Sequence, residues 1–232
     1  MSHVACHFLA SPKVIIFFGL PGSGKGTQAD VLAESFGFFH FDTGKEIERT
    51  VHNPANRKDP VIKREAKFFD TGFLNTPSWV EKLVKKRTEE YVKAGQNLVF
   101  SGSPRTLPEA KGLFKVFKKL FGVKSILMIF LDIEEETSIF RNSHRRVCRD
   151  CRIPVIWSKE TRNLLHCPHC GGRLVKRTLD NPEIIKERIK EYRKKTEPSI
   201  KFLKSKGIRI IRIDGEKHPE VVSKDIASHL NK

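Results

Sequence analysis

Residues 14–36 read VIIFFGLPGSGKGTQADVLAESF, a strand, a glycine-rich loop and a helix in succession. Val14–Phe18 is a continuous apolar run of β-branched and aromatic residues, the pattern of a strand covered on both faces. The loop Gly19-Leu20-Pro21-Gly22-Ser23-Gly24-Lys25-Gly26-Thr27 then matches GxxxxGK and places its Thr one residue late, after Gly26. Small residues at Gly22, Ser23, Gly24 and Gly26 let backbone N–H groups converge on phosphate oxygens. A helix starting at about Lys25 adds its positive end to the same point. Lys25 is expected at the β/γ-phosphates of a nucleoside triphosphate, and the Thr27 hydroxyl at its magnesium ion or α-phosphate. Strand, loop and helix in this order are more specific than a glycine-rich turn of an ordinary α/β protein. They specify the donor and leave the acceptor open.

Working outward, four further apolar runs read as buried strands: Phe38–Asp42, Asn97–Phe100, Ser125–Leu131 and Ile208–Ile213. Between them lie amphipathic, helix-length segments, including Trp79–Lys93, Glu109–Phe121 and Pro182–Lys204. This alternation is the βαβ signature of a three-layer α/β/α core on a parallel sheet, here of the P-loop type. Residues 43–73 are polar, helical in pattern and without a strand, so they are expected to form a small helical insert. Residues 146–178, rich in Cys and Pro, are expected to form a second insert. The core itself is expected over 13–232.

The chain has 232 residues, enough for one large domain or a core with small inserts. Lys+Arg number 44 against 27 Asp+Glu, a formal net charge of +17, which suits polyanions or phosphorylated small molecules. The longest apolar runs are far too short to span a bilayer, and the N-terminus lacks a signal-peptide pattern. A soluble, cytoplasmic protein with no membrane partner is expected, and a monomer.

Of five cysteines, four form two CxxC pairs, Cys148/Cys151 and Cys167/Cys170, with fifteen residues between the pairs. Each CxxC turn can present two sulfurs to one ion, and four thiolates give a closed tetrahedral structural Zn²⁺ site, one per chain. Gly171-Gly172 permits the tight turn after the last ligand. Cys6 is left over as an ordinary thiol. Four thiolates and one Zn²⁺ would lower the formal charge to about +15. The lobe is too short to cohere by apolar burial alone, so metal replaces the missing core. A ribbon for nucleic acid would add aromatic platforms, and Trp157 alone offers one. The arginines cluster at the two roots of the insert, where they can close over a nucleotide, so a metal-stapled flap is the better reading. Nucleic acid is kept as a secondary partner.

Taken in order, GLPGSGKGTQ, the Thr43-Gly44 pair after the second strand, SGSPRTLPEA, HRRVC and RTLDNPEIIKERIKEY closely resemble adenylate kinase and its nucleoside monophosphate kinase relatives. The resemblance runs from about Lys13 to Leu230, and HRRVCRDC…CPHCGGRL resembles the zinc-bearing lid of some bacterial members. It implies that the insert after strand two holds the monophosphate, with Thr43 and Gly44 at its entrance and Gly72 and Leu74 at its end. Arg105 falls on the arginine that grips the monophosphate, Gly102 matches beside it, and Glu109 stands where a glutamine reads the acceptor base. Arg141 matches the arginine over the donor adenine, Arg145 the lid entrance with Arg146 beside it, and Arg177 and Arg188 the late pair that converges on the transferring phosphoryl group. Lys217 joins the ATP-binding set.

Three acids of the family pattern are replaced, by Lys45, Ser101 and Leu179; Asp180 keeps the second acid of its pair. Glu48 stands where an arginine is expected, and Arg49, one residue on, is the candidate to supply the guanidinium. The implied reaction is transfer of the terminal phosphoryl group from ATP to AMP with Mg²⁺, giving two ADP, with Lys25, Arg105, Arg145, Arg177 and Arg188 as the catalytic set. Glu109 keeps a second acceptor in view. An ionised carboxylate cannot donate to adenine N1, whereas guanine offers two adjacent donors, so GMP or a broad preference stays open. A nucleotide-dependent nucleic-acid-binding or ribosome-assembly factor on the same fold is the non-enzyme alternative.

Overall fold

A computed structural model describes residues 12–71, 75–176 and 180–230. In chain order, β1 (Val14–Phe18) leads through the glycine-rich loop into α1 (Lys25–Phe36) and β2 (Phe38–Phe41). Then come α2 (Thr43–Val51), α3 (Pro60–Asp70), α4 (Pro77–Lys93), β3 (Asn97–Phe100), α5 (Leu107–Phe121), β4 (Ile126–Asp132) and α6 (Glu135–His144). Three short strands follow, β5 (Arg146–Cys148), β6 (Pro154–Val155) and β7 (Leu174–Lys176). The chain closes with α7 (Pro182–Glu191), α8 (Glu197–Ser205), β8 (Arg209–Asp214) and α9 (Pro219–Leu230).

The main sheet is parallel, in the order β2-β3-β1-β4-β8. Alternate residues of β1 serve opposite faces, which is why the whole run is apolar. Val14, Ile16 and Phe18 pack with Val84 of α4, Leu113 and Phe117 of α5 and Leu203 of α8. Ile15 and Phe17 pack with Ala29 and Leu32 of α1 and Val222 and Ile226 of α9. The result is a three-layer α/β/α core, with the carboxyl ends of β1, β3 and β4 facing one crevice, where ligands of such sheets bind.

Asp42, expected inside the second strand, instead caps α2, its carboxylate accepting from Gly44 N at 2.9 Å and Lys45 N at 3.3 Å. The helical segment after β2 has a small core of its own, Ile47, Val51 and Ile62 against Leu83 of α4. The cysteine-rich segment is a three-stranded antiparallel sheet, β6-β5-β7. Its buried cluster is Cys148, Val155, Cys167 and Leu174, so half of it is thiol. Pro182–Lys204 is not one regular helix: α7 and α8 are joined by a wider π turn over Tyr192–Thr196.

Candidate active site

The phosphate loop is held where a side chain could not fit. A Cβ on Gly19 (φ 141°) would stand 2.4 Å from the Leu131 carbonyl oxygen. One on Gly22 (φ 80°) would stand 2.5 Å from Asn142 Nδ2. The loop thus wedges between the end of β4 and helix α6, and Ser138 Oγ donates to the Pro21 carbonyl at 2.7 Å. Gly24 precedes α1, whose first turn contains Lys25, Gly26 and Thr27 and no acidic residue, so the positive helix end is free for an anion. Ser23 is buried beneath the loop.

Lys25 folds back over this loop, Nζ donating to the carbonyls of Gly19 and Leu20, both at 2.8 Å, and to Ser23 Oγ at 3.3 Å. Burial, followed by the positive charges of Arg105, Arg188 and Arg145, pulls its pKa from 10.5 down to about 7. Three arginines assigned to one reaction centre thus act together on the loop lysine.

Asp180 organises two of them. Its buried carboxylate accepts from Arg145 Nε at 2.9 Å and Nη2 at 2.6 Å, a bidentate fork, and lies 3.7 Å from Arg188 Nη1. Arg105 leaves its loop exposed, with Nε donating to the Gly102 carbonyl at 2.8 Å. Thr196, on the π turn, donates to the Arg105 carbonyl at 2.9 Å, and Tyr192 on the same turn receives the Gly19 N–H at 3.1 Å. The widened turn aims both side chains at the site, as such turns often do. A Cβ on Gly102 would lie 3.3 Å from Thr43 Oγ1 and 3.6 Å from Arg105 Nη2. Thr43, Gly44, Gly102 and Arg105 are therefore brought together, and Thr43 also bonds Ser103 Oγ at 2.8 Å.

Glu109 does more than its assigned position suggested. It stands in the first turn of α5, capped by Thr106, and its Oε2 accepts from Arg105 N at 2.7 Å. Oε1 is buried with no hydrogen-bond partner among the described residues. The Thr-x-x-Glu spacing of a helix start was the signal that could have revealed this local role.

Other candidates are engaged with partners of their own. Arg49 turns to the buried Glu46 at 2.9 Å, which also receives Tyr91 Oη at 2.9 Å. Glu48 reaches Arg152 of the cysteine-rich lobe at 3.0 Å. Arg141 donates to the carbonyls of Gly215 and Glu216 at 2.8 and 3.1 Å, while Lys217 pairs with Asp225 at 3.0 Å. Arg146 is spent inside the lobe, donating to the carbonyls of Leu164 and Thr161. Gly72, Leu74 and Arg177, like Cys6 and Leu179, lie outside the described residues. Sequence reasoning missed a chain behind β3: Asp30 Oδ1 stands 2.6 Å from His40 Nδ1, and His40 Nε2 stands 2.7 Å from Ser101 Oγ. Its members come from three elements, so no linear motif announces it.

The four paired cysteines converge. Their sulfurs all lie within 4.8 Å of one another, with Cys148 Sγ 3.4 Å from Cys170 Sγ and Cys151 Sγ 3.7 Å from Cys167 Sγ. These are free thiols able to coordinate one metal ion; a disulfide would need about 2 Å. Burial pushes the Cys148 thiol up, but the N–H groups of Cys151 and Asp150 and the neighbouring thiols outweigh it and hold it at about 7. Trp157, the one aromatic platform read from the lobe, packs edge-on against Phe140 of α6 with ring centroids 5.4 Å apart. No helix among the described residues is long and apolar enough to cross a membrane.

The family profile described as adenylate kinase matches residues 17–208. Similar proteins include the adenylate kinase of Petrotoga mobilis, 35% identical over 218 residues, covering 93% of this chain and 96% of that protein. The adenylate kinase of Archaeoglobus fulgidus is 34% identical over 223 residues, 94% of this chain and 98% of its own. That of Caldicellulosiruptor saccharolyticus is 32% identical over 205 residues, 87% and 92% of the two chains.

Proposed function

This chain belongs to the adenylate kinase family, and we propose that Lys25, Arg105, Arg145, Arg177 and Arg188 carry its transfer of the terminal phosphoryl group from ATP to AMP. It is an ATP-dependent phosphotransferase of the adenylate kinase type. The observation that carries the residue assignment is geometric: Asp180 holds Arg145 in a bidentate fork with Arg188 3.7 Å away, and their charges, with that of Arg105, bear on the buried Lys25 folded over the loop. A cage of cations around a phosphate loop disfavours its own charge until polyphosphate fills it.

In this reading Gly22, Ser23, Gly24, Gly26 and Thr27 cradle the ATP phosphates, Lys25 bonds the β/γ oxygens, and Arg141 and Lys217 flank the nucleoside end. Thr43, Gly44, Arg49, Gly72, Leu74, Gly102 and Glu109 form the monophosphate side, where Arg105 offers its guanidinium to the phosphate of AMP. That phosphate is already an anionic nucleophile, so no side chain need remove a proton. Asp180 holds Arg145 and Arg188 in place before the nucleotides arrive. The core over 13–232 would carry a monophosphate-binding insert at 43–73 and a lid at 146–178. The Arg152–Glu48 contact joins these two protrusions, which suits their closing together to exclude water.

The residues fit both implied metals. In the first turn of α1 the Thr27 hydroxyl is a neutral oxygen with no acidic residue beside it, which suits a Mg²⁺ ion that stays on the phosphates and keeps its waters. Mg²⁺ would supply charge neutralisation to the phosphates. In the lid, Zn–S bonds of about 2.3 Å in a tetrahedron place sulfurs about 3.8 Å apart, close to the observed 3.4 and 3.7 Å pairs. One structural Zn²⁺ would therefore be held by Cys148, Cys151, Cys167 and Cys170. Thiolates kept for metal fit a reducing cytoplasm, and a monomer carries the whole set of site residues.

Glu109 favours AMP over GMP more than its charge alone suggests. With Oε2 occupied by the Arg105 N–H, one acceptor, Oε1, remains for the base. Guanine would ask both its donors to share that oxygen. The test is ADP formation from ATP with AMP, GMP, CMP and UMP in turn. AMP should be used best, and ADP formation that ignores every monophosphate would overturn the reading.

A further inference from the structure

The Asp30–His40–Ser101 chain has no part in the transfer described above. His40 lies in β2 with its side chain almost wholly buried, so its two ring nitrogens have fixed neighbours. Asp30, on the second turn of α1, accepts from Nδ1 at 2.6 Å, which assigns the ring proton to Nδ1. In the neutral ring Nε2 is then a lone pair, to which the Ser101 hydroxyl at 2.7 Å donates. A hydroxyl, a base within hydrogen-bond reach and a carboxylate orienting that base are the parts of an activated nucleophile.

Its position decides what the nucleophile could meet. Ser101 is the first residue after β3, and Phe100 of β3 is in register with Ile16 of β1. The next residue, Gly102, accepts from Arg105, whose charge acts on Lys25. Asp30 is three residues beyond Thr27 on the helix whose first turn closes the phosphate loop. Ser101 therefore stands at the carboxyl end of β3, next to the end of β1 that leads into the phosphate loop, and one residue before the Gly102 carbonyl that Arg105 bonds.

We propose that Ser101 is a self-phosphorylation site, modified from bound ATP when the monophosphate side is empty; this rests on the reading of the loop as the ATP site. Ser101 Oγ attacks the γ-phosphorus, a new Oγ–P bond forms, and the bond from that phosphorus to the β,γ-bridging oxygen breaks. ADP leaves with the electron pair, and the Ser101 proton passes to His40 Nε2. Asp30 stabilises the imidazolium. With AMP bound, its phosphate oxygen takes the in-line place and the ordinary reaction wins. The phosphoserine would lie against Lys25 and the arginine cage, where it competes with ATP phosphates, so modification lowers the activity of that molecule.

The experiment incubates the full-length protein with ATP and Mg²⁺ without AMP, and follows intact mass and peptide mapping. A gain of roughly 80 Da on Ser101 is expected. His40→Ala should slow its appearance by at least about 100-fold, the usual worth of a positioned base. Added imidazole should restore part of it, which no loss of mere packing would explain. The same preparation is assayed with ATP and AMP. Transfer to AMP without any mass gain, a phosphate on another residue, or an unchanged rate in His40→Ala overturns the self-phosphorylation and leaves the kinase reading intact. Failure of both reactions overturns both.

Discussion

Removing the charge of Lys25 should change how nucleotide binding handles protons. In the free protein burial, then Arg105, Arg188 and Arg145, hold Lys25 at a pKa of about 7 against an ordinary 10.5. At pH 8 only about a tenth of the molecules then carry the ammonium. ATP brings several negative charges onto the loop and restores the charged form, so binding should take up about 0.9 proton per site. Calorimetric titration with ATP at pH 8, in buffers of different ionisation enthalpy, reads this number directly. Lys25→Met should bring the uptake close to zero and weaken ATP. The stability sign follows from the same shift. Between about 10.5 and 7 the unfolded chain holds the Lys25 proton and the folded chain does not, so the free fold loses stability as pH falls through that window. Lys25→Met should therefore raise the Tm of the free protein at pH 7, with the advantage shrinking toward pH 10. Wild-type binding without proton uptake would refute the cage.

Arg105→Ala should raise the KM for AMP at least about tenfold, the worth of a charge-assisted hydrogen bond, while ATP affinity changes little. The reverse pattern in titrations would exchange the two nucleotide sides. Elemental analysis should find about one zinc per chain, and Cys148→Ser should lose it and lower the Tm through the lid, whose buried cluster is half thiol. Iron, or a folded protein without metal, would contradict the four-thiolate assignment. Glu109→Gln keeps an oxygen for the Arg105 N–H and puts an amide donor where Oε1 stands, facing adenine N1. The AMP-to-GMP ratio of kcat/KM should rise at least roughly tenfold, about 1.4 kcal/mol. A flat ratio would show that residue 109 does not face the base.

The sheet was legible because burial on both faces leaves a crude mark: Val14–Phe18 and Asn97–Phe100 read as strands from apolar continuity alone. The phosphate loop and the cysteine set were legible because their ligands are close in sequence, so spacing encodes geometry. Asp42 was misplaced by one element, since a short acidic residue after an apolar run reads as either strand end or helix cap. The π turn at Tyr192–Thr196 was invisible because it alters hydrogen bonding by one residue without altering the apolar pattern. Arginines carried over by motif were less predictable one by one. Arg105 and Arg145 act at the loop, whereas the exposed Arg49 bonds a glutamate of its own helix. Partner choice among long side chains is a tertiary property. The Asp30–His40–Ser101 chain joins residues up to 71 positions apart for the same reason.

The cation cage is expected to hand the terminal phosphoryl group of ATP to a monophosphate and to keep it from water. ATP labelled in the γ position, mixed with the protein, Mg²⁺ and AMP and stopped within a single turnover, tests it directly. The label should appear in the β-phosphate of ADP, with two ADP formed for each ATP consumed. Label recovered chiefly as inorganic phosphate, at a rate indifferent to AMP, would contradict it.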